Sequence, residues 1–348
     1  MNGDAIRLVK ACLFPAIMIF ISLLLALILA ESGIRLFYPQ PDPIHWVEND
    51  ATYGYRVKKN FFQLYRYPRL GYSIEVKTNS LGLRDREFEP STFTDSDLTR
   101  ILLVGDSFTF GHGLNTDALF GAQLEHILKE REHQVMTINT GVGGWGTIQQ
   151  THFAENHFEL FKPDFIVLTF CGNDPHDDLK FKNGLVKGVE GNIVFPGKIF
   201  LKDNSHLFRF LLKSFAVIYH NFRLNQRDEQ EKLDLQSATS ISRSDWQRTT
   251  ALIQKFSERF RLFNPDGVLL LQATAPENEN IRRHLSALHN GDDIIYVDLF
   301  DAFAALPTDS LFIPKEGHWS KRAHSISAHH IADRIGALLA GESDPVNK

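Results

Sequence analysis

The chain has 348 residues, and its 43% apolar content is enough to bury a sizeable core in one large domain or two small ones. A net charge of −5 gives no reason to expect a nucleic-acid partner. The 15 histidines are scattered, without an HExxH motif or Cys/His pairs at metal-ligand spacing, so we expect no metal site. Cys12 and Cys171 cannot supply a disulfide framework.

The N-terminal segment is predicted to span a membrane. Residues 12–30 carry no charge and, at the rise of an α-helix, nearly cross a hydrocarbon core. Arg7 and Lys10 precede this run and Glu31 follows it, which predicts that residues 1–11 are cytoplasmic and that the rest is outside the membrane. Cleavage as a signal peptide is the alternative, but Ile28 fits the small-x-small cleavage pattern poorly.

Residues 31–99 are predicted to form a spacer and a small β-rich cap. The proline-rich beginning is typical of a stiff spacer, and later apolar residues alternate with polar ones as in a strand, namely Tyr72, Ile74 and Val76. Interleaved basic and aromatic residues would also suit a nucleic-acid or phospholipid surface. We favour a cap that packs on the main domain.

The main domain is predicted to cover residues 100–340, followed by a tail at 341–348. Strands and helices alternate, which predicts a parallel sheet with helices on both faces. The predicted strands are 101–104, 135–139, 165–170, 267–272 and 294–298; the predicted helices are 116–130, 147–161, 206–222, 245–263, 277–288 and 321–339. An insertion at about 179–245, with a hairpin-like segment at 185–195 and a polar run at 225–243, is either a lid over the site or a passive elaboration.

A serine stands where the first of these strands ends. The sequence Gly105-Asp-Ser107 stops the apolar run abruptly, and ligands of open α/β sheets bind at the carboxyl ends of the strands. Gly, Asp and Ser are also common in turns for conformational reasons. Ser107 is therefore a candidate nucleophile whose interpretation depends on the rest of the chain.

Three further blocks follow in order, and together with GDSFTFGHG they resemble the SGNH/GDSL hydrolase family. They are Asn139-Thr-Gly-Val-Gly-Gly-Trp-Gly146, Cys171-Gly-Asn-Asp174 and Glu316-Gly-His-Trp319, preceded by the lead-in TNSLGLRDREF at 78–88. The resemblance covers roughly residues 53–339. It implies a flavodoxin-like three-layer α/β/α SGNH-hydrolase fold, here preceded by an N-terminal transmembrane helix.

A serine hydroxyl needs a neighbouring base, and His318 is the candidate because it lies on the loop just before the last predicted helix. The alternatives His324, His329 and His330 fall inside that helix. The family usually has an aspartate two or three residues before the histidine, but here those positions hold Glu316 and Lys315. Either Glu316 orients His318, or the triad is reduced to a dyad.

The resemblance also implies an oxyanion hole. Its donors would be the backbone N–H of Ser107, the backbone N–H of Gly144 and the side-chain amide of Asn173. Gly143 competes with Gly144, which we prefer because it matches the second glycine of the family's N-x-G-x-x-G pattern counted from Asn139.

These features predict a membrane-anchored serine esterase that hydrolyses a carboxylic ester through an acyl-enzyme and needs no cofactor. The expected substrate is an acylated small molecule, or an O-acetyl or other ester of an envelope glycan or lipid, and its site would be periplasmic or extracellular. One alternative is an O-acyltransferase with the same Ser/His site. Another is a non-catalytic glycan-binding or assembly protein that retains the fold.

Overall fold

A computed structural model describes residues 3–182, 197–225, 241–291 and 293–341. The predicted hairpin-like segment at 185–195, most of the polar run at 225–243 and nearly all of the tail at 341–348 lie outside these residues.

The chain begins with a long helix, α1 (Gly3–Phe37). Within α1, Leu13–Phe37 has a mean hydropathy of 2.8 and none of its apolar window is buried. A helix of this length and composition can cross a membrane. The N-terminal segment is therefore one apolar helix that is a candidate membrane span or signal anchor.

Two short β-structures follow. Strands β1 (Val47–Asp50) and β2 (Gly54–Val57) form an antiparallel hairpin. Strands β3 (Phe62–Tyr67) and β4 (Tyr72–Lys77) form a second two-stranded sheet. Ile74 and Val76 of β4 are buried while their neighbours are exposed, as the alternation of apolar residues predicts.

A parallel sheet of five strands forms the centre of the fold, and it confirms the predicted fold class. Its strands are β5 (Thr99–Gly105), β6 (Val135–Asn139), β7 (Phe165–Phe170), β8 (Val268–Ala273) and β9 (Ile294–Tyr296). Their spatial order is β6-β5-β7-β8-β9, and all neighbours are parallel. Numbered within the sheet, this is the 2-1-3-4-5 order of flavodoxin-like folds, in which ligands bind beside the first strand.

Helices connect the strands, and each predicted helix has a counterpart among them. They are α2 (Ser107–Phe110), α3 (Phe120–Glu130), α4 (Thr147–Asn156), α5 (Phe158–Phe161), α6 (Asp174–Lys182), α7 (Lys198–Asn204), α8 (His206–Asn225), α9 (Arg243–Phe263), α10 (Glu279–Ser286), α11 (Phe300–Ala304), α12 (Thr308–Leu311) and α13 (Lys321–Leu339). Helices α2, α6, α7, α11 and α12 are additional to the predicted ones.

Two predicted helices differ from the observed ones by more than three residues or by a break. The first begins at Phe120, because Thr116–Ala118 forms a separate 3₁₀ turn. The helix predicted at 147–161 is interrupted at His157, whose φ of −120° leaves the helical range and separates α4 from α5.

Two hydrophobic layers cover the two faces of the sheet. Successive side chains of a strand point to opposite faces, so Leu102 and Val104 pack in one layer while Ile101 and Leu103 pack in the other. Because every residue of β5 from Arg100 onward is buried, this strand shows an apolar run instead of an alternation.

The chain divides into two compact units. One contains described residues 3–43, 65–73 and 197–225; in it the Glu31 carboxylate accepts hydrogen bonds from the backbone N–H groups of His206 and Leu207 at the start of α8. The other contains the remaining described residues, including the five-stranded sheet and every predicted site residue.

Candidate active site

Ser107 lies directly after β5, at the carboxyl end of the sheet. The Asp106 carboxylate accepts a hydrogen bond from the Phe108 N–H at 2.9 Å and so caps the single turn of α2, which begins with Ser107. A Cβ on Gly105 would lie 2.2 Å from the Thr109 hydroxyl, so only glycine fits at this point. The serine side chain is therefore held on a tight strand-to-helix turn.

The imidazole of His318 meets this serine. His318 Nε2 lies 2.9 Å from Ser107 Oγ, although the two residues are 211 positions apart. Burial lowers the pKa of His318 to about 4, so the ring is neutral at neutral pH. A neutral ring nitrogen at this distance can accept the hydroxyl proton.

Two aromatic rings hold the His318 imidazole. The Phe108 ring centroid lies 5.1 Å away, and the His112 ring is stacked at 5.1 Å with an interplanar angle of 25°. Burial lowers the pKa of His112 to about 3, so His112 presents an uncharged ring. The sequence motifs did not single out His112, whose one signal was its place five residues after Ser107 in the same block.

Glu316 approaches the opposite nitrogen of His318 without reaching it. Glu316 Oε2 lies 4.0 Å from His318 Nδ1, beyond hydrogen-bond distance. Within the part of the chain that the structure describes, His318 Nδ1 is buried and has no hydrogen-bond partner. Lys315 and Gly317, on either side of Glu316, both have positive φ angles, of 64° and 79°. The backbone conformation of this loop therefore sets where the Glu316 side chain starts.

The other candidate histidines make different contacts. His324 is fully buried in α13, where its Nδ1 accepts a hydrogen bond from the Phe120 N–H at 3.1 Å. His329 bonds the Ser325 carbonyl one turn earlier in the same helix, and His330 is exposed. Only His318 of these four has a bond to Ser107 among the described residues.

Gly143 and Gly144 lie beside the serine on the loop after β6. A Cβ on Gly143 would be 3.6 Å from the Ser107 Cβ and 2.8 Å from His112 Nε2. Gly144 is exposed and has a φ of 80°, a conformation that favours glycine. The absence of a side chain at Gly143 thus leaves space next to Ser107.

Asn173 lies after β7, the neighbour of β5 in the sheet. Its Nδ2 donates to the Asp177 carboxylate at 2.6 Å. A side-chain amide has two hydrogens, so this bond orients the group and leaves its second hydrogen for another acceptor.

A buried acidic side chain joins the third block to helix α4. Asp174 accepts hydrogen bonds from the Cys171 N–H, the Thr147 hydroxyl and the Gln150 amide. Burial raises its pKa well above the usual range of a carboxyl. Its contacts make Asp174 a structural residue that fixes the start of α4 against the start of α6.

The lead-in TNSLGLRDREF also supports the site. Arg84 is fully buried, and its guanidinium donates to the backbone carbonyls of Phe110, Gly111 and Leu114 in the loop after Ser107. The next residue, Asp85, accepts a hydrogen bond from the Asn139 N–H at 2.8 Å. The motif therefore holds the first and second blocks in place.

No metal-binding group is found in the described ranges 3–182, 197–225, 241–291 and 293–341. They contain no cluster of three or more His, Cys, Asp or Glu side chains that could hold an ion.

Comparison with known proteins assigns the family. The model of the GDSL-like lipase/acylhydrolase family matches residues 103–326, well over half of the chain. Comparison with curated proteins finds no match.

Solved structures give similar but distant folds. A family 3 carbohydrate esterase from Clostridium thermocellum has 16% identity and a TM-score of 0.41 over 70% of this chain and 98% of its own. A lipase/acylhydrolase from Enterococcus faecalis has 16% identity and a TM-score of 0.40, with 69% and 96% covered. The psychrotrophic esterase EstA from Pseudoalteromonas sp. has 10% identity and a TM-score of 0.41, with 70% and 99% covered.

The assignment rests on the matched residues 103–326, which run from strand β5 into helix α13 and include all four blocks. The chain belongs to the GDSL-like lipase/acylhydrolase family and is an SGNH-type serine hydrolase that acts on esters.

Proposed function

We propose that this protein hydrolyses a carboxylic ester of an envelope glycan or lipid, such as an O-acetyl ester, through an acyl-enzyme on Ser107. The observation that carries the proposal is the 2.9 Å distance between Ser107 Oγ and the neutral His318 Nε2. A hydroxyl beside a neutral imidazole is the pairing that activates a serine as a nucleophile.

In the first half-reaction, Ser107 Oγ attacks the ester carbonyl carbon while its proton passes to His318 Nε2. The carbonyl oxygen becomes an oxyanion, for which the Ser107 N–H, the Gly144 N–H and the Asn173 side-chain amide are the proposed donors. Collapse of this intermediate breaks the bond to the alcohol, which leaves with the proton from His318. The acyl group stays on Ser107.

In the second half-reaction, water attacks the acyl-enzyme. His318 takes the proton of that water, a second oxyanion forms at the same donors, and its collapse returns the proton to Ser107 and releases the carboxylic acid. No cofactor enters either step.

Glu316 is proposed to stabilise the protonated form of His318. Its carboxylate lies 4.0 Å from Nδ1, so a side-chain rotation that shortens this distance by about 1 Å would form a charge-assisted hydrogen bond. The negative charge of Glu316 favours the imidazolium even at the observed distance.

The N-terminal helix supports the choice of substrate class. We propose that Leu13–Phe37 anchors the chain as a single span, with the basic residues Arg7 and Lys10 on the cytoplasmic side and the esterase outside the membrane. Esters of envelope glycans and of lipids are the substrates that such a tethered site can reach.

The test is reaction of the purified full chain, in detergent, with a fluorophosphonate probe. We expect the wild type to be labelled and Ser107→Ala to be unlabelled, because the probe bonds only to an activated serine. Ser286→Ala, which changes an exposed serine of α10, is the matched control and should label fully. A folded wild type that stays unlabelled would contradict the proposal.

The acyl acceptor is tested on the active protein. Release of free acid that is unchanged by added sugar would support hydrolysis, whereas transfer of the acyl group to the sugar would identify a transferase.

A further inference from the structure

A tyrosine outside the four blocks contacts the loop Asn139–Gly146 beside Ser107, here called the glycine loop. The Tyr55 hydroxyl, on strand β2, donates a hydrogen bond to the Gly143 carbonyl at 2.9 Å across 88 residues of sequence. Burial raises the pKa of Tyr55, so the phenol stays protonated and remains a donor at neutral pH. A Cβ on Gly144 would lie 2.7 Å from the same hydroxyl, which shows how closely the tyrosine covers this peptide.

The contact matters because of the geometry of the peptide bond. The Gly143 carbonyl and the Gly144 N–H belong to one planar trans peptide and point in opposite directions. A hydrogen bond that fixes the carbonyl therefore fixes the direction of the N–H as well. With a glycine on each side, no side chain resists rotation of this peptide.

Further bonds hold the hairpin that carries Tyr55. The Trp145 indole N–H donates to the Tyr55 carbonyl at 3.0 Å, and the Gln149 amide donates to the Tyr53 carbonyl at 2.7 Å. Tyr55 is thus bonded to the glycine loop at two points, and the nearby Tyr53 is bonded to helix α4, which restricts the movement of the Tyr55 hydroxyl relative to Gly143.

We propose that Tyr55 is a positioning residue that holds the Gly143–Gly144 peptide with its N–H directed at the oxyanion. This inference rests on the proposed function, in which the Gly144 N–H is an oxyanion donor. Rotation of the peptide would replace that donor with a carbonyl oxygen, which repels the developing negative charge.

The test compares Tyr55→Phe with Tyr53→Phe in the full chain. Tyr53 is the matched control, because it lies in the same hairpin, its ring packs against Trp145, and its hydroxyl bonds the Asn156 side chain instead of the glycine loop. With p-nitrophenyl acetate as substrate, we expect Tyr55→Phe to lower kcat about tenfold and to leave KM unchanged within about twofold, less than the 10²–10³ lost with a whole oxyanion donor. Tyr53→Phe should retain the wild-type values.

A second readout separates positioning from general damage to the fold. Sulfur accepts hydrogen bonds weakly, so the oxyanion hole assists p-nitrophenyl thionoacetate less than the oxygen ester. We expect the preference for the oxygen ester over the thionoester to fall several-fold in Tyr55→Phe and to stay constant in Tyr53→Phe. Equal losses on both substrates, or wild-type kinetics in Tyr55→Phe, would overturn the positioning role while leaving the esterase intact.

Failure of the proposed function gives a different result. A folded wild type that neither turns over p-nitrophenyl acetate nor reacts with fluorophosphonate would overturn the esterase and the role of Tyr55 together.

Discussion

The two loops that meet at Ser107 hold their functional groups in different ways. The glycine loop, Asn139–Gly146, is fixed at both ends and in the middle. Asn139 bonds the Thr109 carbonyl, Tyr55 bonds Gly143, and the Trp145 indole bonds the Tyr55 carbonyl. The base loop, Ile313–Trp319, places His318 at 2.9 Å from Ser107 but leaves the other side of the imidazole without a hydrogen bond among the described residues.

The proposed oxyanion donors and the imidazole are therefore positioned by different kinds of contact. The groups around the proposed oxyanion donors have a fixed hydrogen-bond network, which costs no reorganisation during the reaction. The imidazole instead lies between the Phe108 and His112 rings, and the carboxylate of Glu316 acts on it from a distance. Changes in the glycine loop should therefore affect stability as well as rate, and changes at Glu316 should affect the rate.

Asn139→Ala should have the largest effect. Its side chain bonds the Thr109 carbonyl at 2.8 Å and the Gly141 N–H at 2.9 Å, and all of these groups are buried. Leaving both partners unsatisfied should lower the free energy of unfolding by about 2–4 kcal/mol, as measured by urea denaturation.

Asn264→Ala is the matched control for that change. Its side-chain amide also bonds a carbonyl, of Pro163, and a backbone N–H, of Asp266, but near the surface and away from the site. Water can replace those bonds, so Asn264→Ala should lower the free energy of unfolding less. An equal decrease in the two variants would show that the buried bonds of Asn139 do not stabilise the glycine loop more than surface bonds would.

Glu316→Gln should have an intermediate effect, on the rate. Neutralising a carboxylate that acts from 4.0 Å should lower kcat about tenfold, against about 10⁴ for the carboxylate of a fully hydrogen-bonded triad. A decrease in kcat approaching 10⁴ would mean that the carboxylate forms a hydrogen bond with Nδ1 in the reacting complex. The difference between the two loops would then not hold during the reaction.

The smallest effect at neutral pH concerns the acid limb of the pH profile of kcat/KM, the range in which the rate falls as the pH is lowered. Because burial lowers the pKa of His318 to about 4, the base stays neutral well below pH 6.5, and the rate should fall only as the pH drops through about 4. His112→Ala should expose the His318 imidazole to water. The midpoint of the acid limb should then rise by about one pH unit or more, toward the ordinary histidine pKa near 6.5.

His329→Ala controls for that shift, since His329 is exposed on α13 and bonds only its own helix among the described residues. The acid limb of this variant should match that of the wild type. A wild-type midpoint near pH 6.5 would contradict the prediction, because it would show that the Phe108 and His112 rings do not exclude water from His318.

The strands were the most predictable part of the fold. Each strand of the parallel sheet is buried on both faces, so it appears in the sequence as a short apolar run bounded by turn residues, and β6 and β7 have the predicted bounds. Helix ends were less predictable, because the break at His157 depends on local dihedrals that the apolar pattern does not record.

The sequence by itself determined the family, the parallel α/β fold and the choice of Ser107 and His318, because each of these depends on local patterns and on the order of short blocks along the chain. Only the tertiary structure decided which groups surround that pair. The stacking of His112, the 4.0 Å gap to Glu316 and the bond from Tyr55 to Gly143 arise from how distant loops pack, and no local pattern of residues encodes such distances.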